Sequence, residues 1–391
     1  MRIWMLEPGG WGGISQSSQY LAAALRGAGD QVLFITAADV ESVADLAGTD
    51  VLPLIKWSRG PGLVRRTGLY RIMNVMRYLW AVGAMYRRAR RERPDILHLQ
   101  GYYVPILFWL TAVVLSRCIR GTVLTCHNAF LRSDGSRGGA LARWGVRRLI
   151  ALADVTVLHA ADDLDCLKGS GLGTPRRSVH VPLGWHPVMP APRAPAREAL
   201  GLSQDDLAVL FLGYLREDKG LDLLAAAVAT LDSQARRGLR VLVAGEDRGA
   251  LDSFKALVHQ FGLENVVHIR AGYLTLEQMS ELVAAADVMV LAHRRASDSG
   301  ILRMAMAGGV PVIAPRTGAF VEVVSTARNG WLFDVGDARG LAEALQSASR
   351  TPQEGRLAMG LAGRAHAERH YQWDRVASAY RQVYATALTG S

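Results

Sequence analysis

The chain reads as an α/β protein built from two doubly wound domains, each around a parallel sheet. Three observations carry that reading. Short, wholly apolar segments such as Leu207-Ala-Val-Leu-Phe-Leu212 end on a glycine, here Gly213, the pattern of a parallel strand buried on both faces. Segments of helical spacing alternate with them, as crossover helices between parallel strands do. A proline-rich stretch, His186-Pro-Val-Met-Pro-Ala-Pro-Arg-Ala-Pro195, cannot sustain a helix and marks a linker near the middle. With 391 residues, half of them hydrophobic, there is material for two cores.

Taken in order, residues 1–181 form the first expected domain, with strands near Ile3 to Leu6, Gln31 to Thr36, Ile96 to Leu99, Thr122 to Cys126 and Val155 to His159. Residues 182–199 are the linker and residues 200–350 the second domain. That second domain opens on the Leu207 to Leu212 strand and continues through Ala285 to Ala292 and Pro311 to Ala314. Met1-Arg-Ile-Trp-Met-Leu6 runs straight into a glycine loop, without the basic start and longer apolar stretch of a signal peptide. Cys118, Cys126 and Cys166 have no metal-ligand spacing and are too few for a disulfide framework; small buried apolar residues are the plain reading of them. A cytoplasmic protein is the expectation.

Two loops carry the chemistry. Gly213-Tyr-Leu-Arg-Glu-Asp-Lys-Gly220 joins a buried strand to a helix, so backbone N–H groups and positive charge meet at one point. Arg216 can grip phosphate oxygens in bidentate fashion and Lys219 can act as a point charge. About 80 residues on, His293-Arg-Arg-Ala-Ser-Asp-Ser-Gly300 follows another strand, and Ser299, Gly300 and the N–H groups of Ile301 and Leu302 open the next helix. Ligands of open α/β sheets bind beyond the carboxyl ends of strands, so both loops project to one face and could hold a diphosphate from two sides. Taken alone, the first loop is equally a solvated basic turn. The turn Thr317-Gly-Ala-Phe-Val-Glu322 adds a carboxylate near that edge; Glu322 is otherwise an exposed first-turn glutamate favoured by the helix dipole.

With these motifs in view, the chain resembles the GT-B glycosyltransferases, and within them the large retaining group numbered family 4. The resemblance rests on Gly9-Gly-Trp-Gly-Gly13, Arg93-Pro-Asp-Ile-Leu-His98, Thr125-Cys-His-Asn128, Val181-Pro-Leu-Gly184, the Arg216 and Lys219 loop, Val243-Ala-Gly245, Ser299-Gly300 and Gly318 to Glu322. It implies two Rossmann-like domains facing across a cleft, with the acceptor on the first and the nucleotide sugar on the second. It also implies C-terminal helices within 351–391, from Tyr371-Gln-Trp-Asp374 onward, crossing back to the first domain. The chain departs from the family pattern in two places. Tyr214 stands where the common form has Arg, with Arg216 as the substitute, and the usual pair of glutamates eight positions apart falls on Ala296 and Met304. In these respects the loops are similar to those of a branch that includes bacterial exopolysaccharide sugar transferases.

The resemblance implies front-face transfer with retention, in which Arg216 and Lys219 stabilise the departing nucleoside diphosphate. His127 is the N-domain candidate near the transferred sugar. Gly12 and Gly13 open the first helix and permit close backbone approach to the donor phosphate or the acceptor. Arg294 is a candidate for lining the donor pocket, together with Gly213. Asn128 could bond a sugar or cap a turn. His98 is either an acceptor-side group or a buried strand histidine. The nucleotide sugar is a substrate, so no cofactor is expected, and no metal. Asp163 and Asp165 form an Asp-x-Asp by letter, but in a helical stretch. No carboxylate pair suited to glycoside hydrolysis is recognisable.

The net charge of +10 is concentrated. From Lys56 to Arg93 the basic residues Lys56, Arg59, Arg65, Arg66, Arg71, Arg77, Arg87, Arg88, Arg90, Arg91 and Arg93 face only Glu92 as an acid, with Trp57, Leu63, Tyr70, Ile72, Met76, Trp80 and other apolar residues between them. Interleaved basic and aromatic residues suit an anionic membrane surface, each cation adding ~1 kcal/mol. An ordinary helix covering the sheet accounts for the apolar residues as well. Tyr102 to Ser116 is apolar but shorter than the ~20 residues needed to cross a bilayer. No nucleic-acid-binding signature accompanies the charge. Three functions stay open: transfer to a lipid-linked or other membrane-proximal glycan, transfer to a soluble small molecule, and binding of a nucleotide sugar without turnover.

Overall fold

The structure is a computed structural model describing residues 1–41, 49–57, 69–102, 104–128 and 139–389. The chain divides into two compact units, Met1–Gly184 with Trp373–Ser391, and Trp185–Gln372.

Unit 1 is built on strands β1 (Arg2–Glu7), β2 (Gln31–Ala37), β3 (Asp50–Ile55), β4 (Ile96–Gln100), β5 (Gly121–Cys126), β6 (Val155–Leu158) and β7 (Ser178–His180). They form one parallel sheet in the order β3-β2-β1-β4-β5-β6-β7. Alternate residues of a strand face opposite sides, and here both sides are buried: Trp4 and Leu6 enter one core while Ile3 and Met5 enter the other. Helices α2 (Leu69–Glu92), α3 (Pro105–Leu115) and α4 (Gly139–Leu152) cover the first face, through Tyr78, Met85, Phe108 and Leu149, and α5 (Asp163–Gly169) follows β6; α6 (Arg193–Ala199), α7 (Leu221–Thr230), α8 (Ser233–Arg236), α9 (Leu251–Gln260) and α10 (Leu276–Ala285) belong to unit 2. Helix α1 (Gly12–Gly27) and the last helix, Trp373–Thr389, cover the second, through Leu21, Leu25, Tyr380 and Tyr384.

Unit 2 holds β8 (Leu207–Leu212), β9 (Leu239–Gly245), β10 (Val267–Ala271), β11 (Val288–Val290), β12 (Val312–Pro315) and β13 (Gly330–Phe333), again all parallel, in the order β10-β9-β8-β11-β12-β13. Each sheet therefore reverses its winding once, between β1 and β4 in unit 1 and between β8 and β11 in unit 2. A reversal splays the flanking loops apart and leaves a crevice at the carboxyl ends of the two strands. The Gly213 to Gly220 loop follows β8 and the His293 to Gly300 loop follows β11, so the unit 2 crevice is lined by the two loops singled out in the sequence.

Five strands escaped the sequence reading, β9, β10 and β13 of unit 2 among them. β3 is an edge strand containing Pro53 with half its residues exposed, and β7 has only three residues. The expected strand from Ala285 to Ala292 shortens to Val288–Val290, because the preceding helix runs to Ala285 and Asp287 is held by Arg193 and Arg197. Of the C-terminal helices, the one over Gln353–His370 lies in unit 2, and the one over Trp373–Thr389 lies in unit 1. Among the described residues, no helix is long and apolar enough to cross a membrane. The cysteines are free thiols of mixed placement, with Cys126 buried and Cys166 exposed.

Candidate active site

In unit 2 the β8 loop is shaped by glycines. Gly245, at the end of β9, has φ 148°, and a Cβ there would sit 1.8 Å from the Gly213 carbonyl oxygen. Gly213 itself has φ 121°. Beyond it a single 3₁₀ turn, Glu217–Lys219, closes on Gly220 in the left-handed region, where a Cβ would meet the Ala292 carbonyl oxygen at 2.1 Å. Neither close approach is open to any other residue type. The Asp218 carbonyl then accepts the Arg294 N–H at 2.9 Å, and Ile301 packs 3.6 Å from where a Gly213 Cβ would be. The two loops are thus one structure.

Arg216 donates from Nε and Nη2 to the two carboxylate oxygens of Asp218, a bidentate ion pair at the surface of the crevice. Arg294 reaches Asp222 in the first turn of the following helix. The helix α11 (Gly300–Ala307) starts on Ser299, which makes no side-chain cap. Arg303 is the first residue whose N–H returns to the Ser299 carbonyl, at 3.1 Å, so the N–H groups of Gly300, Ile301 and Leu302 have no acceptor within the helix. Leu302 is wholly buried. The His186 ring lies over Gly300, its Cε1 3.2 Å from an added Cβ.

The third turn joins this cluster through Gly318, which has φ 54° and approaches the Ala296 and Ser297 carbonyls too closely for a side chain. Ala319 donates its N–H to Ser297 at 2.8 Å. Glu322 is exposed on the first turn of the helix over Ala319–Ala327. Of the positions lacking the family glutamates, Met304 is buried in α11 and Ala296 offers its carbonyl to the Gly318 contact.

Three features here went unnoticed in the sequence. Asp218 occupies Arg216. Arg303 and Asp298 form a buried ion pair beneath the Ser299 turn. His293, the first residue after the β11 end, is buried with its ring edge-on to Phe320, centroids 5.4 Å apart, and neither ring nitrogen has a hydrogen-bond partner. Burial, then the cations of Lys219 and Arg216, hold His293 well below the usual histidine range and so uncharged. The one available signal was position, since His293 opens the loop.

In unit 1, Glu7 ends β1 and accepts the N–H groups of Gly9 and Gly10, both at 2.9 Å, which folds the glycine loop back on the strand. Gly12 has φ 78°, whereas Gly13 is in ordinary helical conformation with open space around it. His127 and Asn128 follow β5. His127 Nε2 is 2.8 Å from the Gln100 side-chain oxygen and its Nδ1 is 3.2 Å from His159 Nε2. His159 Nδ1 faces the Val181 carbonyl at 2.8 Å, and because a carbonyl only accepts, that nitrogen carries the proton. Burial and the neighbouring His159 and His98 keep His127 well below the usual histidine range. His98 is completely buried, with Nε2 2.7 Å from the Thr125 hydroxyl and Nδ1 2.8 Å from the Tyr384 hydroxyl. The Asn128 carbonyl accepts from the Tyr102 hydroxyl. Asp163 accepts the N–H groups of His159 and Ala160, which ties the end of β6 to the turn that follows it, a structural duty.

Two Rossmann-like units, one of them with a basic two-loop crevice at its switch point, define a glycosyltransferase of the GT-B type. Residues 192–366 match the family model described as Glycosyl transferases group 1, and residues 11–184 match Glycosyltransferase Family 4. The chain belongs to that family. It is 30% identical over 313 residues to a D-inositol 3-phosphate glycosyltransferase of Streptomyces avermitilis, covering 74% of this chain and 67% of the relative. The Streptomyces scabiei protein of the same name is 29% identical over 308 residues, covering 75% and 68%. Among solved structures, sucrose-phosphate synthase from Thermosynechococcus elongatus superposes with a TM-score of 0.77 at 20% identity, covering 100% of this chain and 99% of that one. HepE of Anabaena, in complex with UDP and glucose, gives 0.76 at 17% identity, covering 98% and 99%. At such identities the structures speak to the fold.

Proposed function

We propose that this glycosyltransferase takes its sugar from a nucleoside diphosphate donor held in unit 2 and delivers it, with retention, to a glycan or lipid-linked acceptor at a membrane surface. The observation that carries the donor side is the union of the β8 and β11 loops at the switch point. There the turn carrying Arg216 and Lys219 is joined to the loop before α11 by the Arg294 N–H bond to the Asp218 carbonyl; Ser299 and Gly300 are assigned to supply backbone N–H groups, with Gly213, Arg294, Ile301, Leu302 and Glu322 completing the proposed donor set. Arg216 and Lys219 stabilise the charge that builds on the diphosphate as it leaves. His127 and Asn128, with the Gly12 and Gly13 turn, are assigned to the sugar and acceptor side, and His98 to holding that side in place through Thr125 and Tyr384. Among the described residues no three His, Cys, Asp or Glu side chains converge as metal ligands. Retention is the expectation that comes with family 4.

The acceptor side rests on α2. Tyr78, Ala81, Val82, Met85 and Ala89 form its buried stripe, yet a second apolar stripe, Leu69, Ile72, Met73, Met76 and Trp80, faces solvent at helical spacing, with Trp80 65%, Met76 62% and Ile72 61% exposed. Arg71, Arg77, Arg87 and Arg91 lie exposed along the same helix. A doubly apolar helix with cations beside its outer stripe suits an anionic lipid interface. Arg59, Arg65 and Arg66 of the same basic segment lie outside the described residues. A second acceptor reading is favoured by the relatives named D-inositol 3-phosphate glycosyltransferase, which points to a small soluble phosphate-bearing polyol.

The test is a donor screen with UDP, GDP, ADP and dTDP sugars, followed by flotation on phosphatidylglycerol vesicles of the wild type and of Ile72→Ser with Trp80→Ser. Donor cleavage with salt-sensitive flotation that the double variant loses supports the membrane reading. Transfer to inositol phosphate without flotation favours the second, and donor binding without turnover on any acceptor would leave a binding protein.

A further inference from the structure

We propose that His293 is a ligand of the diphosphate, its imidazole donating an N–H to a phosphate oxygen held between Arg216 and Lys219. This rests on the donor site proposed above.

The argument begins with a polar group that the fold leaves unserved. His293 is 4% exposed, and neither Nδ1 nor Nε2 has a hydrogen-bond partner. A neutral imidazole always presents one donor and one acceptor, and leaving both buried without partners is unfavourable. A phenylalanine would fill the same space against Phe320 without that cost. A histidine at that place is explained by a partner that arrives with the ligand.

Its surroundings say what kind of ligand. The residue before it, Ala292, presses its carbonyl on Gly220 at the end of the Arg216 and Lys219 turn, and the residue after it, Arg294, donates its N–H to Asp218 within that turn. The edge-on contact with Phe320 fixes the ring plane. The imidazole is therefore clamped at the seam of the two loops, close enough to Lys219 and Arg216 for both to hold it uncharged. An uncharged donor suits this position. Two cations already oppose the diphosphate charge, and a third would repel them when no ligand is bound, whereas a neutral N–H adds a directed bond to an anionic oxygen without that repulsion.

The experiment titrates UDP, ADP and GDP into the wild type, Arg216→Ala, His293→Phe and His293→Asn by calorimetry. His293→Phe keeps the ring contact with Phe320 and removes the nitrogens, so the free protein should melt no lower than wild type while affinity for the preferred diphosphate falls about 10- to 100-fold. His293→Asn, which restores an N–H donor, should recover part of the loss. In the wild type, the His293 ring ¹⁵N resonances should move on adding the same diphosphate, a readout that needs no variant to fold. Wild-type affinity in His293→Phe, or unmoved His293 resonances, with Arg216→Ala defective, overturns the proposal and leaves the donor site standing. Failure of wild type to take up any of the three diphosphates overturns both.

Discussion

Arg303 donates from Nη2 to Asp298 at 2.5 Å, and the two side chains are only 1% and 2% exposed. The pair sits directly under the phosphate-side turn: Asp298 also accepts the Ser299 N–H at 2.7 Å, and the Arg303 guanidinium lies 3.7 Å over the Tyr371 ring. One ion pair therefore ties the loop, the helix α11 and the C-terminal helical segment of unit 2 together. It stands where the family usually has a second glutamate one residue on, a position filled here by the buried Met304. The loop that would face the donor is held by its own carboxylate, Asp298, paired with Arg303 of the helix that follows.

Removing one member should strand the other as a buried charge. Asp298→Asn or Arg303→Met should each lower stability by about 3–5 kcal/mol, and the double change should cost clearly less than the sum. Urea unfolding of the two single variants and the double gives the coupling directly. Additive losses would mean that the pair is incidental to the loop.

The Arg216 and Asp218 pair predicts a competition. A phosphate can engage the Arg216 fork only after Asp218 lets go, so the carboxylate acts as a resident substitute for the ligand. Asp218→Asn should tighten nucleoside diphosphate binding by several-fold to about tenfold, whereas Arg216→Ala should weaken it by more than tenfold. Calorimetric titration measures both, and weaker binding in Asp218→Asn would show that Asp218 positions Arg216 instead of occupying it.

The glycines make opposite predictions within short distances. Gly220→Ala places a Cβ against the Ala292 carbonyl and forces a left-handed backbone on alanine, so it should separate the two loops and destabilise by roughly 2 kcal/mol or more. Gly12→Ala is strained by its φ of 78°. Gly13→Ala, one residue on, meets nothing within 4 Å and should raise stability by about 0.5–1 kcal/mol through helix propensity. Thermal unfolding of the three variants suffices, and loss of activity in a stable Gly13→Ala would mark that position as one where a ligand approaches the backbone.

Strands such as β1, β4, β5 and β8 were legible because a strand buried on both faces needs an unbroken apolar run, as Leu207 to Leu212 shows, whereas β9, β10 and β13 were not named from the sequence. The edge strand with Pro53 carried no such pattern. The basic, greasy segment was legible only as two superposed roles, and the structure separates them on α2: Tyr78 and Met85 turn inward, Met76 and Trp80 outward. Arg216 could be read from its place after a strand, but its bond to Asp218 depends on the 3₁₀ turn that brings residues two apart face to face. His293 looked like one polar residue among several, since the lack of partners around an imidazole is a property of what folds against it, in this case Phe320 and the Lys219 turn.

His98 gives a prediction with a definite sign. Burial, with His159 adding to it, pushes its pKa down to about 3, against the ordinary 6.5 that it regains on unfolding. Between those values the unfolded chain binds a proton that the folded chain refuses, so stability is complete above pH 6.5 and is lost progressively as the pH falls towards 3. One such group removes up to about 1.4 kcal/mol per pH unit in that window. His127 and His293, also held well below the usual range, act in the same direction. The neutral His98 ring satisfies Thr125 and Tyr384, whose hydroxyls either donate or accept, so it is desolvation of the cation, not a missing acceptor, that sets the shift. His98→Gln should therefore cost stability at pH 7 and yet flatten the acid limb, with one fewer proton taken up on unfolding between pH 6.5 and 4. Urea unfolding at pH 7, 6, 5 and 4.5 for wild type and variant measures this, and parallel slopes would mean that His98 is already charged in the folded protein.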